Sequence, residues 1–208
     1  MRDHPITAVS EPFQYRAIGL VRGIYRPENS DHFTKGSLID QQGVEIESVV
    51  LGRVLTLMKK HVSIEEAHLW VVYPRCRNEN KLHLQIAGIW EPSTLTLGKE
   101  ERIDYNDSLI EGDDYFSIRG ELIYTKPDTN DLIVKIRQQP RKGIKKTLPF
   151  KLRLKGNIPT DKLHQFISLD VRRSGEELKI EKFESIGPVM VKGERKGNRS
   201  KVTNTSKS

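Results

Sequence analysis

Residues 132–160 read LIVKIRQQPRKGIKKTLPFKLRLKGNIPT. The stretch holds no acidic residue, yet it carries Lys135, Arg137, Arg141, Lys142, Lys145, Lys146, Lys151, Arg153 and Lys155. Its apolar residues alternate. Leu132, Val134 and Ile136 mark one segment, and Leu148, Phe150, Leu152 and Leu154 mark another. Side chains two apart share a face of a strand. Lys135 and Arg137 therefore share the other face of the first segment, and Lys151, Arg153 and Lys155 that of the second. Pro140 and Gly143 in the connection are turn residues. The pattern is a β-hairpin with one apolar and one cationic face, its connection carrying Arg141, Lys142, Lys145 and Lys146 as a clamping loop. A polyanion suits that surface, and nucleic acid is the commonest polyanion. Charge runs are also ordinary solvated faces, so the pattern alone does not assign a ligand.

Working outward, the hairpin sits inside a repeated order of elements. Before it, Tyr115 to Thr125 reads as a strand with a central glycine, Gly120. After it, Thr160 to Gln165 suits a short helix, because Thr160 is a fair N-cap. Phe166 to Arg173 and Leu178 to Ile186 read as two further strands around a Ser174-Gly175 turn. The first half repeats this order. Phe13 to Tyr25, Phe33 to Asp40 and Val44 to Val49 read as strands; Val50 to Val62 takes helical spacing; Leu69 to Pro74 and Lys81 to Trp90 are strands again.

Five strands with one helix between the third and fourth, twice over, resembles the OB-fold superfamily. The resemblance rests on element order and on glycine-bearing first strands, over roughly 13–90 and 115–187. It implies a mainly β protein of two five-stranded barrels in tandem, binding an oligonucleotide or oligosaccharide across strands 2 and 3. In the second repeat those strands are the cationic hairpin, so charge and topology choose the same surface. The expected organisation is a flexible leader at 1–12, a first domain at 13–91 and a connector at 92–114. A second, basic domain follows at 115–187, then a disordered basic tail at 188–208, which is too polar to bury a core.

The charge distribution supports this division. The 208 residues carry a formal net charge of +7, but residues 1–111 hold −3, residues 112–188 hold +5 and residues 189–208 hold +5. One cysteine, Cys76, allows no intramolecular disulfide and no thiolate zinc site. A cytoplasmic setting is expected from this cysteine usage, and from an N-terminus without a signal-peptide core. The longest apolar stretch is too short for a membrane span.

No enzymatic constellation stands out. His68 and His83 fall on neighbouring predicted strands but lack an evident third metal ligand. Asp128 with Glu177 and Lys179 matches nuclease chemistry only in residue type. Cys76 lies between Arg75 and Arg77, cations able to lower a thiol pKa, although an ordinary thiol at a strand end is the simpler reading. Walker-type and Gly-x-Ser-x-Gly motifs are missing. The expected protein is thus non-enzymatic, without cofactor or metal, and binds RNA or single-stranded DNA mainly through phosphates. The alternative is a protein-interaction adaptor that docks a partner through the first domain. Single-strand binders also stack bases on rings. Tyr15, Tyr25, Trp70, Tyr73 and Trp90 are the candidates for that role, with Trp70 and Trp90 equally suited to the core, whereas Phe116, Tyr124 and Phe150 fall on apolar faces.

Overall fold

The computed structural model describes residues 4–29, 32–77, 81–91, 109–138 and 147–189. The first half contains β1 (Arg16–Asn29), β2 (His32–Asp40), β3 (Glu45–Val50), α1 (Gly52–His61), β4 (His68–Cys76) and β5 (Leu82–Ile89). The second contains β6 (Tyr115–Lys126), β7 (Asp131–Ile136), β8 (Phe150–Lys155), β9 (Gln165–Ser174) and β10 (Glu177–Pro188). Each set closes on itself. In the first, β1 pairs with both β2 and β4, and β3 pairs with β5; in the second, β6 pairs with both β7 and β9, and β8 with β10. These are two five-stranded OB-type barrels in tandem.

The apolar alternation seen in the sequence fills the barrels. Leu132, Val134 and Ile136 on β7 and Leu152 and Leu154 on β8 are buried. In the first barrel α1 closes the mouth with Val54 and Met58, four residues apart on one helical face. The second barrel has only a 3-10 turn at Thr160–Lys162 where a short helix was expected over 160–165. Leu163 is already extended and His164 has φ 63°, so the chain turns straight into β9. Buried Ile158 lies just before this turn, held by a 2.8 Å hydrogen bond from Thr125 Oγ1 to its carbonyl.

The barrels are not beads on a string. The start of β1 pairs antiparallel with β6, Arg16 opposite Arg119 through Gly19 opposite Phe116, so the ten strands form one continuous sheet. A side chain at Gly19 would collide with the Phe116 ring, its Cβ falling 2.1 Å from Cδ1. The junction is also bolted electrostatically. Buried Arg173 on β9 donates to Asp40 of the first barrel at 2.8 Å and to Asp114 at 2.7 Å. Burial opposes ionisation of Asp40, but Arg173 and the amides of Val44 and Gln42 outweigh it and hold the carboxyl below its ordinary range.

Residues 4–12, expected as part of a flexible leader, lie on the body. Ile6 is buried with Leu20 and Leu69. Arg16 donates to the Thr7 carbonyl at 2.5 Å, and Arg119 to the Pro12 carbonyl at 2.6 Å. The expected connector lies outside the described residues up to residue 108, and the expected tail from residue 190 onward.

Three aromatic or apolar placements differ from the sequence reading: those of Tyr124, Leu148 and Phe150, the last lying half-buried at a cleft between the barrels. Tyr124 is 42% exposed rather than core, because a bulge between Leu122 and Tyr124 inverts the alternation of β6. Leu148 is 76% exposed, because β8 begins only at Phe150, after Pro149. Among the described residues no helix is long and apolar enough to cross a membrane.

Candidate nucleic-acid interface

The outer face of β6, β7 and β8 is a lattice of charge set by strand register. Glu121, Lys135 and Lys151 lie in one row across the three strands, and Asp131 and Lys155 in another, with Arg153 between them opposite Ile133. Arg137 follows immediately after β7. All five strand-borne cations expected from the alternation therefore lie on the side away from the barrel core. The clamping-loop residues Arg141, Lys142, Lys145 and Lys146 lie outside the described residues.

Two carboxylates outside the acid-free stretch partly neutralise this face. Asp131 binds Arg153 at 2.9 Å and Lys155 at 3.0 Å. Glu121 sits 2.5 Å from Lys135 and 3.8 Å from Arg137. Lys151 is exposed and has no ion-pair partner among the described residues. Five cations against two carboxylates leave a surplus of three. Asp131 stands one residue before the acid-free stretch; Glu121 comes from β6, and only strand order brings it there.

Beside the end of this face lies a cleft between the barrels. Its walls include Phe13, Tyr15, Tyr73 and Arg75 from the first half, and Arg137 and Phe150 from the second. The Arg75 guanidinium lies 3.9 Å over the Phe150 ring, joining β4 to β8, and Arg137 lies 5.7 Å from the Tyr15 ring. Phe150, expected in the core, is thus only half-buried, at the cleft. Of the candidate platform rings, Tyr15 and Tyr73 reach the cleft, whereas Tyr25 and Trp70 are buried in the first barrel. Sequence reasoning missed Phe13 and Arg75 as site residues, because nothing local marks them; packing between the barrels assembles the cleft.

The other candidate chemistry takes ordinary places. Burial pushes the Cys76 thiol up, despite Arg153, whose backbone amide donates to Sγ at 3.5 Å. His83 pairs across the strands with Arg75 rather than with His68, and burial lowers its pKa, favouring the neutral ring. No cluster of three metal-ligating side chains occurs among the described residues.

Comparison with known families agrees with the geometry. A family model described as the PatR RNA-binding protein, N-terminal OB-fold domain, matches residues 17–97. A second, described as a cyanobacterial OB-fold-like RNA-binding domain, C-terminal, matches residues 118–187. A search of curated proteins finds no match. The two matches fall on the two barrels and together cover most of the chain, which belongs to the OB-fold superfamily as a tandem of RNA-binding domains.

Proposed function

We propose that the chain binds single-stranded RNA by phosphate contact along the outer face of β7 and β8, and that it acts by binding rather than by catalysis. The observation that carries this reading is the fixed spacing of Lys135, Arg137, Lys151, Arg153 and Lys155 on one sheet face, with a positive surplus after Glu121 and Asp131 are counted. Cations spaced by a strand pleat offer a fixed geometry that can match a particular backbone path, whereas a flexible basic segment has no fixed geometry with which to choose a ligand. Each phosphate contact to a single strand releases counterion, with a log–log salt slope of about −0.7.

The test is a fluorescence-anisotropy titration of RNA and single-stranded DNA with wild type and Arg137→Glu/Lys151→Glu. Both side chains are exposed, so the barrel should keep its circular dichroism spectrum. Affinity should fall steeply, and the salt slope should flatten by about 2, because two reversals take the surplus of three below zero and remove this face's contribution. A folded double reversal with wild-type affinity and slope would refute the reading.

A further inference from the structure

The cleft between the barrels measures about 880 Å³. That lies within the size range of clefts that bury whole small ligands. Three parts of the chain build it: the segment before β1 with the first residues of β1, the outer face of β4 and β5, and the ends of β7 and β8 at the loop.

Its rings are held in place. Phe13, 43% exposed, and Tyr15 pack edge-on against buried Phe166, with centroids 5.4 and 4.9 Å away. Arg119 fixes the backbone beneath them, donating to the carbonyls of Pro12 at 2.6 Å and Gln14 at 3.3 Å. Across the cleft, half-buried Tyr73 and Gln85 are direct partners on β4 and β5. Three arginines, Arg16, Arg75 and Arg137, and one carboxylate, Glu11, also line the cleft, and Arg75 and Arg137 stand against its rings.

Phosphate contact alone gives no use for fixed, partly exposed rings. Rings and arginines also meet in protein interfaces, but this cleft opens beside the cationic β7–β8 face, which suits a polyanion. Rings, amides and guanidiniums together suit an unpaired base, which offers a flat face to stack and an edge to hydrogen-bond. Resting on the RNA-binding reading above, we infer that this cleft is the base-binding site for single-stranded RNA. Phe13, Tyr15 and Tyr73 take base faces, Gln85 takes a base edge, and Arg137 passes the backbone on to the β7–β8 face. Both barrels contribute walls, so neither barrel alone contains the site. Paired bases present no free face, so the site discriminates against duplex.

The experiment uses the full chain and three labelled probes: a 12-nucleotide uridine RNA, an abasic oligomer of the same length and charge, and a 12-base-pair RNA duplex. Wild type should prefer the uridine RNA to the abasic oligomer and the duplex by well over ten-fold, because three base–ring stacks are lost together and each is worth about ten-fold. Tyr73→Ala should lose about ten-fold on the uridine RNA and nothing on the abasic oligomer, with an unchanged salt slope. Tyr73→Phe keeps the ring and should bind as wild type. Equal affinity of wild type for uridine and abasic oligomers would overturn the inference, as would equal affinities of the Ala and Phe variants. If the hairpin double reversal abolishes binding while Tyr73→Ala does not weaken it, the cleft inference fails and the phosphate-contact reading stands. If wild type binds none of the probes even at low salt, both fail.

Discussion

Replacing Asp131 with asparagine should make this protein bind RNA more tightly. The Asp131 carboxylate accepts from Lys155, from the Thr129 hydroxyl and from Arg153, and these partners hold it far below the usual carboxylate range. It is therefore charged at any working pH, and a phosphate approaching Arg153 or Lys155 must compete with it. Taking the surplus of three positive charges as the number of phosphates the face neutralises, its salt slope is about −2.1. Asp131→Asn raises the surplus to four and the slope to about −2.8 by the same rule. Between about 50 and 200 mM salt the contribution of this face then falls about 18-fold in wild type and about 50-fold in the variant. Other cations of the chain add equally to both, so the difference of about 0.7 in slope isolates one carboxylate. The assay is anisotropy with one RNA at a series of salt concentrations, with circular dichroism as the folding control. An equal or shallower slope, or weaker binding at low salt, would show that Asp131 positions Arg153 for contact instead of masking it.

Four other perturbations test the frame that carries the site and the residues beyond it. Arg173→Met leaves Asp40 buried without its partner, which typically costs about 3–5 kcal/mol and lowers Tm by roughly 10 °C in a chain of this size; a change of only a degree or two in calorimetry would argue against the bolt. Because Asp40 is depressed in the folded state, its stabilisation is complete above the unfolded carboxylate value of about 4 and is lost as pH falls through its folded value. Urea midpoints should therefore drop on acidification, and this Asp40 component should be missing in Asp40→Asn. Gly19→Ala drives a methyl into buried Phe116 and should cost about 1–3 kcal/mol; wild-type stability in denaturant would refute the close approach at the junction. Truncation after Pro188 removes six cations; it should weaken binding modestly while leaving the preference among RNA probes unchanged, and loss of that preference would move the selecting element into the tail.

The alternation of Leu132 to Ile136 and of Leu152 to Lys155 was legible because a strand's period of two separates core from surface without knowledge of its neighbours. Element order was legible for a similar reason, since glycines, turns and a helical stretch punctuate the chain locally. The counter-ions were not. Glu121 reaches Lys135 only through the pairing of β6 with β7, and pairing partners are not written in a strand's own pattern. The bulge at Tyr124 reversed one face for the same reason: an extra residue in a strand shows only against its neighbour. The cleft was least legible of all, because its rings belong to segments that meet only when β1 joins β6.

Two binding modules on a tether gain affinity according to the length and stiffness of the tether. Here the hydrogen-bonded register of Arg16–Gly19 against Phe116–Arg119 takes the tether's place. An oligonucleotide that touches both barrels finds the second already oriented by the first. One that falls a nucleotide short gains nothing from chain slack, because there is none to take up. Affinity plotted against oligonucleotide length should therefore climb as a step rather than a ramp, and the molecule would act as a gauge of how much unpaired strand is on offer.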